Sequence, residues 1–284
     1  MTHLSIPTTC ARPSLLALAL ALVAAGCAGP DPSFNDAGWD FGVAPDMLSC
    51  LPNNDGVIEQ KELLFVLGLP PANYRANPPG TTVGINPSGQ MVDGKLEWDF
   101  SSLAGQIVQL KVEPVAGTWY AKHFPLGDMA MVTSVKGDTL QVLNIDSNKV
   151  FLLGLASRKP EDTLTIYDPP ISAMRFPLRK GIKFTATSSL KAGSKINGLP
   201  ITTKDTYEVS INTEGVLRLP NLKLHRVLLI ETLVTSKTLG GVTNTTRQLQ
   251  WFSECYGEVV RALSNINEKD ALFKTASELR RLAL

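Results

Sequence analysis

The chain predicts a mainly β fold: a curved antiparallel sheet, as an open barrel or a sandwich, with a short N-terminal helix and a C-terminal amphipathic helix. Three observations carry that expectation. Between residues 81 and 262, segments of about 5–9 residues rich in Val, Ile, Leu, Thr and aromatics alternate with turn clusters. Tyr207, Val209 and Ile211 alternate with Glu208 and Ser210, as a half-buried strand requires. Roughly ten such strands follow one another with few helices between them, which argues against a doubly wound α/β fold.

Composition sets the class. The 284 residues are 44% hydrophobic and 19% charged, a globular balance with enough length for a sizeable core. A net charge of +1 excludes a strongly basic nucleic-acid binder, and the scattered Lys and Arg form no aromatic-interleaved groove.

Residues 1–26 read as a signal peptide. Arg12 is the only Lys, Arg, Asp or Glu among them, and it precedes the apolar run Leu15–Ala25. That run is too short to cross a bilayer core of ~30 Å. It leads into Ala24-Ala25-Gly26-Cys27. Small residues before a cysteine resemble a bacterial lipobox, although Leu is usual where Ala24 stands. The resemblance implies cleavage before Cys27, acylation of its thiol and attachment to a membrane. Ala28, where Asp would favour inner-membrane retention, points to the outer membrane. Losing Arg12 from the 27 bases leaves the mature chain neutral against its 26 acids.

Residues 27–46 form a lipidated tether, rich in Gly, Pro, Asp and Ala, with an r.m.s. reach of roughly 25 Å. Residues 47–69 hold an EF-hand-like turn and a helix. In Leu51–Glu62, Asn53, Asp55, Gly56 and Glu62 occupy the third, fifth, sixth and twelfth places of a calcium-loop spacing. Calcium needs 6–8 oxygens, a sharp turn at the glycine and a bidentate Glu at the end. Leu51 replaces the first carboxylate. The expectation is therefore a decayed turn that starts a helix, with Asn53, Asp55 and Glu62 as residual metal candidates and no calcium cofactor.

The β domain spans 70–264. Met129–Ser134, Thr139–Ile145 and Lys149–Leu155 are joined by short turns, and Gly240-Gly241 separates Val227–Val234 from Arg247–Phe252. Asn212-Thr213-Glu214-Gly215 reads as a turn into Val216–Leu219. Residues 265–284 read as a helix. Asn267 caps it, Glu268 and Asp270 open it, Arg280 and Arg281 close it, and Leu272, Phe273, Ala276, Leu279 and Leu282 form its apolar stripe.

Gly94 to Ser101 (GKLEWDFS), with Tyr207–Pro220 and Gln250-Trp251-Phe252, resembles uncharacterised secreted β-rich envelope proteins. The resemblance covers residues 90–262, departs at Cys255-Tyr256-Gly257, and rests on turn and strand signatures. It implies an envelope location and no particular activity.

Catalytic motifs are missing. The sequence lacks G-x-S-x-G, H-E-x-x-H, G-x-G-x-x-G and a P-loop. His123 and His225 lie far apart, Ser188 to Lys191 matches S-x-x-K without its companion motifs, and Glu97 and Asp99 read as the solvated side of one strand. Once Cys10 leaves with the signal and Cys27 is acylated, Cys50 and Cys255 remain in an oxidising compartment, where one pair has one connectivity.

The function expected is that of a non-enzymatic envelope lipoprotein, binding an apolar ligand or an envelope protein, or serving a structural role. The alternative is a hydrolase or other enzyme with a site assembled from scattered residues. A cavity would be lined by Leu143, Phe151, Leu153, Val209 and Leu229, and covered by the two helices. The processing expectation is directly measurable. Wild-type protein is expected in the membrane fraction with the mass of a diacylglyceryl-modified Cys27; Cys27→Ser is expected unmodified in the soluble fraction.

Overall fold

The computed structural model describes residues 50–63, 72–134, 137–146 and 148–283. The signal segment, Cys27 and the tether lie outside the described residues. Among those described there is no α-helix, and twelve strands form the antiparallel wall of a closed barrel; shorter strands on its connections join the same sheet, among them Lys95–Asp99, which pairs parallel with Val216–Arg218. The wall strands are β1 (Ala72–Ala76), β2 (Gln106–Leu110, resuming as Val112–Pro114), β3 (Met129–Val132), β4 (Thr139–Ile145) and β5 (Lys149–Ser157). Next come β6 (Leu164–Arg175), β7 (Lys183–Leu190), β8 (Thr203–Leu219), β9 (Leu222–Thr238), β10 (Thr243–Ser253), β11 (Gly257–Leu263) and β12 (Glu278–Leu282).

Each strand pairs with the next in the chain, and β12 returns to pair with β1 through Tyr74↔Leu282, Arg75↔Arg281 and Ala76↔Arg280. Closure removes the exposed sheet edges that would otherwise invite pairing with other chains. Two joints are thin. β2 pairs with β1 along its first half and with β3 along its second, and β6 meets β7 only at Tyr167 and Asp168.

The inside–outside alternation is broken by bulges. In β5 the register slips between Leu152 and Gly154 against both neighbours. A Cβ on Gly154 would stand 1.9 Å from the Thr165 carbonyl oxygen, so the close backbone approach here requires glycine. The slip puts Leu152 and Leu155 on the inside and sends Leu153 outward.

Much of the hydrophobic core lies outside the barrel. Two covers create it, the first built from two segments. Residues 77–105 and 264–277 lay Trp98, Phe100 and Phe273 over Trp251, Val260 and Leu279. Trp98 and Phe100 meet Trp251 edge-on, with ring centroids 6.1 and 4.9 Å away, and Trp98 Nε1 donates to the Pro87 carbonyl at 2.7 Å. The second cover brings Val115, Tyr120 and Phe124 against Ala130, Leu140, Val142 and Leu153. Each aromatic buries a large apolar area against its neighbours.

One end of the barrel is plugged by the chain that precedes β1. Val57–Ile58 pairs with Leu178–Arg179, and Ile58, Leu63 and Leu178 pack inside against Val209, Ile211, Leu228, Ile230 and Phe252. The expected disulfide is present, with Cys50 and Cys255 Cα atoms 5.4 Å apart across 205 positions. Cys255 N donates to the Glu62 carbonyl at 3.0 Å, and Asn54 N donates to Glu254 at 2.9 Å.

Three expectations are corrected. The C-terminal helix is not formed: residues 278–282 are strand β12, because both β11 and β1 need a backbone partner and helix propensity cannot outbid that. Its expected caps serve turns instead, with Asn267 Oδ1 accepting from Thr245 N and Asp270 Oδ1 from Leu272 N. The N-terminal helix is reduced to one 3₁₀ turn, Gln60–Glu62, with a Glu59–Glu62 capping box; Leu63 is already extended, and 64–71 lie outside the described residues. The turn expected at Asn212–Gly215 is a bulge inside the uninterrupted β8, and the chain reverses at Pro220-Asn221.

The cross-link closes so long a loop that a chain-entropy model assigns it about 5 kcal/mol. Replacing both cysteines by alanine is expected to lower the urea midpoint and to raise the m-value, because the unfolded chain is no longer held compact, while the β-type circular dichroism of the folded chain persists.

Candidate functional site

Between the plug and the far end, the barrel interior stays open as a chamber of about 670 Å³. Its two walls differ. Strands β2–β6 contribute Val112, Met131, Leu143, Val150, Leu152, Leu155 and Met174, a mainly apolar wall whose polar members are Gln141 and, just past β3, Thr133. Strands β8–β12 and β1 contribute Tyr207, Thr232, Gln248, Gln250, Glu258, Arg261, Arg280 and Tyr74. Exposed Ala72, Asn73, Lys111 and Tyr256 stand where the chamber reaches the surface, beside the disulfide.

The polar wall is organised by one carboxylate. Glu258 Oε1 accepts from Arg280 Nη2 at 2.6 Å and Nε at 3.0 Å, and its Oε2 accepts from Gln250. Arg280 is 1% exposed and lies 5.7 Å from the Tyr74 ring centroid, while Tyr74 OH donates to the Glu258 carbonyl at 2.6 Å. Burial pushes the Glu258 carboxyl up, but Arg280, Arg261 and the hydrogen bonds from Gln250 and Arg280 outweigh it, and the net shift is down. Burial likewise raises the Tyr74 hydroxyl.

Arg261 stands directly opposite Arg280 on the neighbouring strand. It reaches across the lumen from β11 to donate from Nη1 to the Thr133 carbonyl, at 3.0 Å, beyond the end of β3. Burial first, then repulsion from Arg280, pull its guanidinium down to about 10. Deeper in, Tyr167 OH donates to Asp205 Oδ2 at 2.7 Å and lies 3.4 Å from Tyr207 OH. Burial raises both phenols, Tyr207 to about 12.

Of the expected cavity residues, Leu143 lines the chamber and Val209 belongs to the adjoining plug. Phe151, Leu153 and Leu229 face the outer layers. Alternation identifies two faces but not which is inside, and the β5 bulge changes the parity midway. The lumen's charged residues were missed because Arg280 reads as a helix end. Their signal was the presence of Glu258 and Arg261 within the otherwise apolar β11; β12 is itself rich in charge, with Glu278, Arg280 and Arg281.

The other candidates are dispersed. Asn53 and Asp55 side chains accept from Asp55 N and Val57 N, and Glu62 accepts from Glu59 N, so all three oxygens serve local backbone. Among the described residues no cluster of three or more His, Cys, Asp or Glu could hold a metal ion. Glu97 is not solvated as expected: it is 3% exposed and bridges Arg218 and Lys223, each at 2.8 Å. The Lys223 hydrogen bond, then that from Arg218, holds its carboxyl below the usual range against the cost of burial. Ser188 Oγ donates to the Pro169 carbonyl, and Lys191 pairs with Asp168 at 3.6 Å.

No family model, curated protein or solved structure matches the chain.

The Glu258 ion pair sets an acid limit. Its carboxyl has a folded pKa below the unfolded value of 4.5, so its contribution is present above that pH and is lost as pH falls through the folded pKa. Glu258→Gln is expected to flatten the acid limb of a stability–pH profile below 4.5. Arg280→Met, which strands a buried carboxylate, is expected to cost about 3–5 kcal/mol in urea unfolding at pH 7.

Proposed function

We propose that this chain is an envelope lipoprotein, held to the outer membrane through Cys27, whose barrel carries a small apolar or amphipathic ligand without transforming it. The observation that supports the reading is the chamber itself. Its 670 Å³ falls within the 300–1,000 Å³ of small-molecule sites, and an apolar wall faces a few convergent polar groups. A chamber of this kind strips water from a hydrocarbon chain while leaving hydrogen bonds for one end of it. The exterior favours life in water. Lys183, Thr185, Thr187, Lys204 and Glu208 point outward and exposed, where a bilayer-spanning barrel would turn an apolar band to lipid.

A second observation favours a protein partner at the opposite end. Exposed Leu199, Leu239, Val242 and Ile266 are brought together by the pairings Thr203↔Thr238 and Lys237↔Thr243 and by the Asn267–Thr245 hydrogen bonds. This rim lies at the far end of β10 from the disulfide, and its occupation would leave the chamber mouth free.

Titration with an environment-sensitive fluorescent fatty acid tests the chamber reading. Saturable binding is expected in protein beginning at residue 28. Leu152→Trp, which fills the apolar wall, is expected to weaken it at least tenfold while Leu239→Ser leaves it unchanged. No saturable binding to folded protein would remove the reading.

A further inference from the structure

We infer that Arg261 is the residue that reads the ligand's head, and that the chamber selects a single-chain amphiphile ending in an anion, a carboxylate or a phosphate monoester. The inference rests on the binding role proposed for the chamber and adds the ligand's chemical class.

The argument begins with charge pairing on β11 and β12. Arg261 and Arg280 are directly opposite residues, both facing inward. Like charges in that position repel, and the low-dielectric interior does not screen them. One neighbouring carboxylate, Glu258, is committed to Arg280 through two guanidinium nitrogens, with Gln250 taking its other oxygen. Glu278 lies 3.9 Å from Arg280, and Asp205 is capped by the Tyr167 hydroxyl. Among the described residues, no carboxylate lies within ion-pair distance of Arg261.

Its hydrogen bonds are equally incomplete. Nη1 is bound to the Thr133 carbonyl, and the buried Nε has no partner among the described residues. A guanidinium offers five donors in a planar fork suited to two oxygens of an anion. Here one donor is engaged, and Glu258 and Glu278 act on the charge only from beyond ion-pair distance. An anionic group beside it would restore both deficits.

Position decides the rest of the ligand. The Thr133 contact carries the guanidinium from the polar wall to the end of β3, next to Met131 on the apolar wall. An anion held there leaves its attached chain facing Met131, Leu143, Leu152 and Leu155. The chamber therefore fits one head and one tail.

Isothermal titration of the protein beginning at residue 28 with palmitate, hexadecyl phosphate and hexadecanol tests this directly. The expected result is that at least one of the anions binds tenfold or more tightly than the alcohol, the step a charge-assisted hydrogen bond confers. Arg261→Met is expected to abolish that preference and keep alcohol binding, while Arg261→Lys retains part of it. Palmitate against hexadecyl phosphate separates the two head chemistries. Equal binding of alcohol and anions by the wild-type protein would overturn the role of Arg261 and leave the chamber standing as an apolar site. Failure of all three to bind would overturn the binding role itself. Because the alcohol–anion comparison is made on the wild-type protein, it decides the question even where Arg261→Met does not fold.

Discussion

The structure depends on the meeting of its last strand with its first. An up-and-down sheet of twelve strands presents two open edges until β12 pairs with β1, and β12 is also the only cover for the free edge of β11. Three Cα pairs make the final joint, which is short for such a task. The interior reinforces it. Tyr74 on β1 donates to the Glu258 carbonyl on β11, and Arg280 on β12 lies against the Tyr74 ring while binding the Glu258 side chain. The ion pair is thus less a surface decoration than a clasp across three strands, and its buried setting makes an unpaired partner costly.

Closing the ring creates a packing problem that the chain solves from outside. Eight-stranded barrels can fill their interior with side chains, but a wider ring leaves space. Here stability comes from two outer layers and an end plug. Trp98, Phe100 and Trp251 pack on one flank, Tyr120 and Phe124 on another, and Ile58, Leu63 and Leu178 stopper one end. Because these clusters bury the large apolar side chains, the middle of the lumen need not be a packed core. The outer packing layers and the chamber consequently lie on different faces of the same strands. The disulfide fixes the plug segment to the β10–β11 turn, beside the point where the chamber reaches the surface.

The polar wall carries the cost of this arrangement. Two arginines face each other inside a barrel and the ion pairs of Glu258 and Glu278 both go to Arg280, so the half-buried Arg261 lacks a direct ion pair and its guanidinium is pulled down to about 10. Folding alone would be served better by an apolar residue there. A charge retained at such cost beside an otherwise apolar wall is the kind of local conflict expected where a protein binds something.

Much was determined by the sequence alone. Alternation at Tyr207–Ile211, the short turns between β3, β4 and β5, and the Gly240-Gly241 hairpin are local, because side-chain period and turn chemistry are properties of neighbouring residues. The Cys50–Cys255 pairing was legible by counting thiols. What tertiary structure decided was everything that depends on a distant partner. Leu272–Leu282 has helical spacing, yet two unpaired edges claim residues 278–282 as a strand, since unsatisfied backbone groups outweigh propensity. The bulges at Gly154 and Asn212 alter which residues face inward, so Leu143 reaches the chamber and Leu153 does not. Arg261 became visible last. Its meaning lies in the arginine opposite, the glutamate already taken and the strand across the lumen, none of which a linear pattern brings together.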